Sequence, residues 1–276
     1  MVDPLYAVSG FAVGALVGMT GVGGGSLMTP LLILLFGVHP ATAVGTDLLY
    51  AAATKTGGSL AHGLARSIDW SIVKRLAFGS LPATVATLWA LSYLDVNSEQ
   101  ARSLITVVLC AALVTTAGAL AFRNTMVAWL HTRLGRLDPD TVDVATIVVG
   151  VLVGILVSIS SVGAGAIGIV ALIALYPDHP VAKLVGSDIA HAVPLTLVAG
   201  IGHWFIGAVD WHIIASLLAG SLPGIALGSY LALRIPESVL RIVLAMTLLV
   251  VAGRLAFQHL DNASTLVTAF TRRAIH

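Results

Sequence analysis

Long apolar runs separated by short polar stretches dominate the hydropathy pattern of this chain. A helix needs about 20 mostly apolar residues to cross a bilayer. Runs of roughly that length are residues 40–62, 72–93, 101–122, 144–160, 181–204, 213–233 and 239–257. The pattern therefore predicts an all-α protein, a polytopic transmembrane helical bundle.

Two further apolar regions are each interrupted by a small-residue run and then resume as a short piece. The first comprises residues 5–20 and 26–36, and the second comprises 144–160 and 166–176. The interrupting residues are Gly21, Gly23, Gly24 and Gly25 in the first region, and Ser161, Gly163 and Gly165 in the second. Each resumed piece is too short to cross a hydrocarbon core of about 30 Å at 1.5 Å per residue. We therefore predict a half-helix after each break.

The composition narrows the class of protein. Of the 276 residues, 58% are hydrophobic and 10% are charged, and the mean hydropathy is +0.99. A soluble domain carries about 25% charged residues, so this chain could not cover a water-facing surface with polar groups. The formal net charge of +1 gives no electrostatic basis for a nucleic-acid partner. A single cysteine, Cys110, excludes a disulfide or a cysteine-based metal site within one chain.

The two halves of the chain resemble each other at a nearly constant offset. GMTGVGGG at 18–25 resembles SISSVGAG at 158–165, which lies 140 residues later, and after one inserted residue the offset becomes 141. Other matched pieces are His39-Pro40 with His179-Pro180, Gly45-Thr46-Asp47 with Gly186-Ser187-Asp188, His62 with His203, Asp69-Trp70 with Asp210-Trp211, and Gly79-Ser80-Leu81-Pro82 with Gly220-Ser221-Leu222-Pro223. We interpret this as a duplication, with a first transmembrane repeat at 1–122, a polar connecting loop at 123–142, a second repeat at 143–258 and a polar tail at 259–276.

Paired breaks in a duplicated membrane protein indicate a binding site. Unpaired backbone groups cost several kcal/mol each in lipid, so a break persists only inside protein or beside a water-filled cavity. The helix that restarts after each break directs free N–H groups and a positive dipole end at the gap, which suits an anion. The predicted anion-binding residues are Gly21, Gly23, Gly24, Gly25, Ser26, Thr46, Lys55, Ser160, Ser161, Gly163, Gly165 and Ser187, with Thr29 as a further hydroxyl donor. The alternative is that glycines such as Gly14, Gly18 and Gly21 only allow close helix packing.

Asp47, Asp188 and Lys55 are ionisable residues inside predicted spans, where such residues are functional candidates. Asp47 and the matching Asp188 could carry coupling protons, bind a cation, or cap backbone that unwinds at Gly45 and Gly186. Lys55 could contact an anionic substrate, or it could form a neutralising salt bridge with Asp47, eight residues earlier on roughly the same helix face. Thr196 occupies the position that matches Lys55, so an anion site would be asymmetric.

The sequence contains few other motifs that would indicate a metal site, a cofactor or a catalytic activity. It contains no His-x-x-x-His or His-Glu-x-x-His pair, nucleophile elbow, Walker loop or dinucleotide fingerprint. His62 and His203 are expected at the membrane interface beside Trp70, Trp204 and Trp211. We therefore expect no metal, no cofactor and no enzymatic activity.

Basic residues in the short loops predict the orientation. Arg66, Lys74 and Arg75 surround one loop and Arg123, Arg133 and Arg136 another, with two spans between them, so both loops should be cytoplasmic. The halves are inverted if each break forms a re-entrant hairpin and parallel if each lies in one tilted span. Residues 5–36 are long for a single crossing, which favours inversion. The basic tail residues Arg254, Arg272 and Arg273 favour the parallel arrangement.

The combined motifs resemble the TauE/SafE family of sulfite exporters, also called the 4-toluene sulfonate uptake permease family, over residues 5–257. The motifs are Gly18-x-x-Gly21-x-Gly23-Gly24-Gly25-x-x-x-x-Pro30, His39-Pro40-Ala41-x-Ala43-x-Gly45-Thr46, and the Asp-Trp and Gly-Ser-Leu-Pro pieces of both halves. The resemblance implies duplicated halves in a plasma membrane, movement of sulfite, organosulfonates or thiosulfate, and coupling to an ion gradient. Asp47 stands where many members of the family carry an uncharged residue.

The expected function is transport of a small sulfur-containing anion by alternating access, with proton coupling through Asp47 and Asp188. The expected partners are that anion, the lipid bilayer and the coupling proton, with no nucleic acid. A transporter or channel for another small anion or carboxylate is the alternative, as is an intramembrane enzyme or assembly factor. The oligomeric state, monomer or homodimer, stays open.

Overall fold

The structure is a computed structural model that describes residues 3–20, 25–64, 66–95, 98–134, 138–232 and 236–274. Within these ranges every regular element is an α-helix, which confirms the predicted all-α class. The helices are α1 (Pro4–Thr20), α2 (Gly25–Phe36), α3 (Pro40–Leu64), α4 (Trp70–Ser92), α5 (Glu99–Ala121), α6 (Arg123–Leu134), α7 (Pro139–Ser160), α8 (Ala166–Leu175), α9 (Val181–Phe205), α10 (Trp211–Ala232) and α11 (Glu237–Ala274).

Five of these helices, α5, α7, α9, α10 and α11, are long and apolar enough to cross a bilayer. They correspond to five of the predicted spans and confirm a multi-pass membrane protein. Helices α3 and α4 are 25 and 23 residues long but more polar, so their crossing remains a prediction. Helix α3 carries Asp47 and Lys55, and α4 carries Lys74 and Arg75.

Side-chain caps explain why several helices begin before their apolar runs. The Asp69 side chain accepts a hydrogen bond from the Ser71 amide at the start of α4, and Ser98 accepts one from Ala101 at the start of α5. Asp138 caps α7, whose first residue is Pro139. Caps of this kind satisfy the free N–H groups of a first turn, and proline fits the first helical position because it lacks an N–H.

The predicted connecting loop at 123–142 is largely helical. It contains α6 and the first residues of α7, and the predicted polar tail at 259–276 continues α11 as far as Ala274. Neither α6 nor α11 beyond Gly253 contains glycine or proline, so nothing in these sequences breaks a helix. The polarity of both segments indicated a location outside the apolar core but did not exclude helical backbone. The division into repeats at 1–122 and 143–258 stays a prediction.

The helices associate in pairs, and glycines lie at the contacts of α1 with α10, α4 with α7 and α3 with α9. Helix α1 packs on α10, α4 on α7, α3 on α9 and α5 on α11. A Cβ on Gly14 would collide with the backbone of Ser221, and one on Gly18 with the Ile225 carbonyl oxygen. Close backbone approach at small residues is typical of membrane helices, so Gly14 and Gly18 serve helix packing.

The pairs differ in direction. Along α1 and α10 the contacting residue numbers rise together, since Gly10 meets Leu217 and Gly14 meets Ser221. Along α3 and α9 they run in opposite directions, because Gly45 meets His203 whereas Gly58 meets Ile189. Helices α1 and α10 are therefore parallel, and α3 and α9 are antiparallel. The α3–α9 crossing holds the buried polar residues of the candidate site.

Candidate functional site

The chain between α7 and α8 forms a short, internally bonded connection. Ser161 adopts a left-handed conformation with φ 59°, and its amide donates to the Val157 carbonyl at 2.8 Å. The Ser160 hydroxyl donates to the Leu156 carbonyl at 2.7 Å and accepts from the Val162 amide at 3.2 Å. Gly163 has φ 114°, a conformation that glycine adopts readily. Gly165 precedes α8 and offers no side-chain cap to its first turn.

The corresponding connection between α1 and α2 is only partly described. Gly21, Gly23 and Gly24, three of the predicted anion-binding residues, lie outside the described residues. Gly25 and Ser26 are the first two residues of α2. Their roles in binding remain predictions.

Asp47 is fully buried where α3 packs on α2. The Thr29 hydroxyl of α2 donates to Asp47 Oδ2 at 2.5 Å, and Asp47 itself is 0% exposed. The Ser161 hydroxyl lies beside the same carboxylate. Apart from each other, Asp47 Oδ1 and Ser161 Oγ have no hydrogen-bond partner among the described residues, and both are buried. The carboxylate therefore contacts α2 and the end of α7.

Asp188 lies in a different environment on α9. Its carboxylate lies against Gly168 in the first turn of α8, so closely that a Cβ there would collide with Asp188 Oδ1. The Lys55 ammonium of α3 interacts electrostatically with Asp188 and with Asp47. No ion pair within 4 Å joins Lys55 to either aspartate in the described part of the chain. Lys55 is half-buried, so the predicted salt bridge with Asp47 is a longer-range attraction.

Sequence analysis missed a second pair of polar residues at the crossing. His191 Nε2 lies 2.7 Å from Ser80 Oγ, and His191 also interacts electrostatically with Lys55. At the matching positions, the Tyr50 hydroxyl lies beside the Ser221 hydroxyl. Ser80 and Ser221 belong to the repeated Gly-Ser-Leu-Pro pieces, which was the available signal. His191 and Tyr50 carried no such signal because their residue types differ.

Thr46 and Ser187, predicted to bind the anion, engage backbone groups instead. The Asp210 amide donates to Thr46 Oγ1 at 3.0 Å, and the Asp69 amide donates to Ser187 Oγ at 2.8 Å. The Thr46 bond therefore connects α3 to the turn before α10, and the Ser187 bond connects α9 to the turn before α4. These bonds favour a positioning role for both residues.

Gly45 and Gly186, which precede Thr46 and Ser187, make contacts that correspond to each other in the two halves. A Cβ on Gly45 would collide with the Ala208 carbonyl oxygen and lie 2.8 Å from His203 Cβ. A Cβ on Gly186 would collide with the Ser67 carbonyl oxygen and lie 3.1 Å from His62 Nδ1. The turn between α9 and α10 therefore packs against Gly45 of α3, and the turn between α3 and α4 packs against Gly186 of α9.

The two matched histidines both make polar contacts, but they differ in burial. His203 is 1% exposed, and its Nε2 lies 2.8 Å from the Ser158 carbonyl oxygen. His62 Nδ1 lies 2.8 Å from Ser67 Oγ. The His203 ring is therefore buried against α7, and its depth in the membrane stays a prediction. Trp204 and Trp211, by contrast, are exposed and pack edge to face.

An ion pair outside the apolar core links the turn before α4 to α9. Lys183 Nζ lies 3.2 Å from Asp69 Oδ2, and His179 Nε2 lies 3.8 Å from it. Burial alone would raise the pKa of the Asp69 carboxyl, but Lys183 and the amides of Ser71 and Ile72 lower this pKa below its usual value. This pair, together with the Ser187 bond, holds the turn against α9.

Comparison with known proteins agrees with these features. A family model described as sulfite exporter TauE/SafE matches residues 6–255. A Bacillus subtilis (strain 168) protein named "Probable membrane transporter protein YjnA" is 37% identical over 242 residues, which cover 87% of this chain and 94% of that protein. The B. subtilis protein named "Probable membrane transporter protein YdhB" is 24% identical over 86% of this chain and 93% of its own length. No solved structure matches the chain significantly. The names of these relatives are consistent with a protein that is not an enzyme.

Proposed function

Because the chain belongs to the sulfite exporter TauE/SafE family and is a multi-pass membrane transporter, we propose that it moves small sulfur-containing anions across the plasma membrane. Sulfite, organosulfonates and thiosulfate form this substrate class. All three present several oxygen acceptors, which suits recognition by N–H and hydroxyl donors.

Lys55 provides the observation on which the proposal rests. It is a half-buried cation at the α3–α9 crossing and is attracted to Asp188 and Asp47. A cation inside a membrane protein needs an opposite charge nearby. Neither carboxylate is within 4 Å of it in the described residues, so Lys55 can contact an arriving anion without first breaking a close ion pair.

The helix interruptions supply the uncharged part of the site. We infer that the anion lies between the starts of α2 and α8, with Gly21, Gly23 and Gly24 as ligands predicted from the sequence alone. Free amides and the positive ends of these two helices attract it. Gly163 and Gly165 leave space for close approach, and Ser161 offers a buried hydroxyl. Ser160, whose hydroxyl bonds to backbone groups, shapes the connection.

Asp188 links anion binding to a proton. With the site empty, the Asp188 carboxylate balances the charge of Lys55. An anion that binds Lys55 takes over this role, and the low dielectric then favours the neutral form of Asp188. One proton would therefore accompany one monovalent anion. Asp47 is the second coupling residue.

Two inverted repeats account for alternating access. The contact of Gly45 with Ala208 matches that of Gly186 with Ser67, and the bond of Thr46 to Asp210 matches that of Ser187 to Asp69. All these matches keep the 141-residue offset found in the sequence. Antiparallel α3 and α9, at equivalent positions, support inversion. Exchange of conformation between the halves would then open the central site to each side in turn.

A thermal-shift panel on detergent-purified protein tests the substrate class. It compares sulfite, thiosulfate, small organosulfonates, sulfate, acetate and chloride at matched ionic strength. A ligand that binds only the folded state stabilises it by about 2.7 kcal/mol at one hundred times its dissociation constant. We expect a selective rise in Tm with one sulfur oxyanion, followed by saturable uptake of that anion into proteoliposomes.

Variants of Lys55 sharpen this test. Lys55→Gln should abolish the ligand-induced rise and Lys55→Arg should retain part of it, because only the latter keeps the charge. Lys74→Gln is the matched control, since Lys74 is exposed on α4. An undiminished response in Lys55→Gln would refute the site, and a response to acetate alone would replace the sulfur anion with a carboxylate.

A further inference from the structure

Helix α6 carries a stripe of large apolar side chains on its exposed surface. Phe122, Met126 and Trp129 are 63%, 38% and 59% exposed. The Met126 amide donates to the Phe122 carbonyl at 2.8 Å, so Phe122 continues the register of α6 although it precedes the first residue of the helix. Residues spaced four and three apart lie on one helix face. The three side chains therefore form a single apolar stripe.

The other sides of α6 have different surroundings. Arg123, Val127 and Leu130 are partly buried and repeat at the same spacing, about 100° around the helix from the stripe. The side opposite these two faces is exposed and includes Asn124 and Ala128. Helix α6 therefore presents one face to the protein, one apolar face to its surroundings and one polar side. This arrangement is typical of a helix that lies in the interface between membrane and water.

The position of α6 in the fold places it at such an interface. Helices α5 and α7, between which it lies in the chain, are both long and apolar enough to cross a bilayer. Helix α6 begins at Arg123, directly after the residue that ends α5, so its start stays at the end of that span. It also packs on α8, and the Tyr176 hydroxyl just after α8 lies 2.8 Å from the Thr146 hydroxyl of α7. Helix α6 therefore lies where α5 ends and α7 begins.

The charge on α6 favours an anionic lipid. The helix contains Arg123 and Arg133 and no acidic residue. The Arg133 guanidinium lies 5.8 Å from the centre of the Trp129 ring, which is within the range of a cation–π contact. No carboxylate lies within 4 Å of Arg133 in the described ranges. A guanidinium held at the end of the apolar stripe can therefore bind a phosphate group through two parallel hydrogen bonds.

We propose that α6 lies along the membrane surface, with Phe122, Met126 and Trp129 inserted among the lipids and Arg133 bound to the phosphate of an anionic phospholipid. Insertion removes the apolar stripe from water and leaves the polar side hydrated. This role requires the membrane location of the chain but is independent of the anion that the protein transports.

Fluorescent labels on two sides of α6 test the insertion. The full-length protein with Cys110→Ala receives one new cysteine, Met126→Cys on the stripe or Ala128→Cys on the polar side, labelled with the fluorophore NBD. Both positions are exposed, and each labelled protein must elute as a monodisperse peak. In phosphatidylcholine nanodiscs, which expose both membrane faces, doxyl-labelled phosphatidylcholine should quench the label of Met126→Cys. Iodide in the water should instead quench the label of Ala128→Cys.

The choice of lipid is tested with the label of Met126→Cys. Doxyl-labelled phosphatidylglycerol should quench it about fivefold more effectively than doxyl-labelled phosphatidylcholine, because one basic residue near an anionic surface contributes about 1 kcal/mol. Arg133→Gln should abolish this preference, whereas Arg133→Lys should keep most of it. A label on Val250→Cys, a position 64% exposed on α11, is the matched control and should be quenched equally with and without Arg133→Gln.

The remaining outcomes would each overturn part of the proposal. Iodide quenching of both labels would place α6 in water, and lipid quenching of both would submerge it in the bilayer. Protection of the Met126→Cys label from both quenchers would show that protein, such as a second copy of the chain, covers the stripe. Equal quenching by the two lipids would refute the anionic headgroup, as would a preference for phosphatidylglycerol that survives Arg133→Gln.

Discussion

Gly45 lies where α3 presses against the turn between α9 and α10, and its replacement by alanine tests the packing of the whole crossing. A Cβ at this position would collide with the Ala208 carbonyl oxygen and lie 2.8 Å from His203 Cβ. The second distance alone is 0.6 Å inside the 3.4 Å at which ordinary contact begins. Neither neighbour can turn away, because one is backbone and the other is a Cβ fixed to it.

The turn is also held by hydrogen bonds that a shift would strain. The Ala208 amide donates to the His203 carbonyl at 2.8 Å, and the Asp210 amide donates to Thr46 Oγ1 at 3.0 Å. Overpacking of a tight interior costs about 1–3 kcal/mol. We expect Gly45→Ala to lie at the upper end of that range. A Cβ on Gly57, in the same helix, would have no neighbouring atom within 4 Å, so Gly57→Ala should stabilise α3 by up to about 1 kcal/mol.

Thermal unfolding in detergent can be followed with a thiol-reactive dye, since Cys110 is the single cysteine and is partly buried. Gly45→Ala should lower the Tm and Gly57→Ala should maintain or raise it. Gly186→Ala should behave like Gly45→Ala, because it meets the Ser67 carbonyl in the same way. If Gly45→Ala and Gly57→Ala gave the same Tm, the inferred contact between α3 and the α9–α10 turn would be refuted.

Two other predictions concern polar contacts at the ends of these helices. Thr46→Val removes the acceptor of the Asp210 amide and should cost about 1–3 kcal/mol, whereas Thr46→Ser should restore the Tm; equal values for the two variants would contradict the bond. The pKa of Asp69 is raised by burial but lowered more by Lys183 and backbone amides, so the charged carboxylate stabilises the fold above its unfolded-state pKa of about 3.9 and loses this effect as the pH falls through the lower folded-state value. Asp69→Asn should therefore lower the Tm at pH 7, and the difference from wild type should narrow below about pH 4; a constant difference down to pH 3 would argue against the ion pair.

The helices could be predicted well because their signals are local. The run 181–204 became α9 (Val181–Phe205), and the run 101–122 became α5 (Glu99–Ala121). The exceptions were α6 and the end of α11, whose polar compositions resemble those of loops although no glycine or proline breaks either helix. The polarity of a segment indicates whether it faces water or an apolar environment, not whether its backbone is helical. Only the absence of glycine and proline indicated that these segments could be helical.

The candidate site was predictable in its positions but not in its contacts. The repeated Gly-Thr/Ser-Asp pieces drew attention to Asp47 and Asp188, and the structure buries both residues. The same pieces suggested that Thr46 and Ser187 bind substrate, yet their hydroxyls bind the backbone of Asp210 and Asp69. Those partners lie 164 and 118 residues away along the chain, so no local pattern could reveal them.

The sequence by itself determined the membrane class, the helices and the offset between the halves, because apolar length and motif spacing are properties of the chain alone. The tertiary structure decided which helices pair, and through that pairing it distinguished the two aspartates. Thr29 and Ser161 reach Asp47 only because α2 and the end of α7 meet at α3, and Lys55 of α3 lies near Asp188 only because α3 crosses α9. Such contacts follow from the packing of distant segments, which spacing along the chain does not encode.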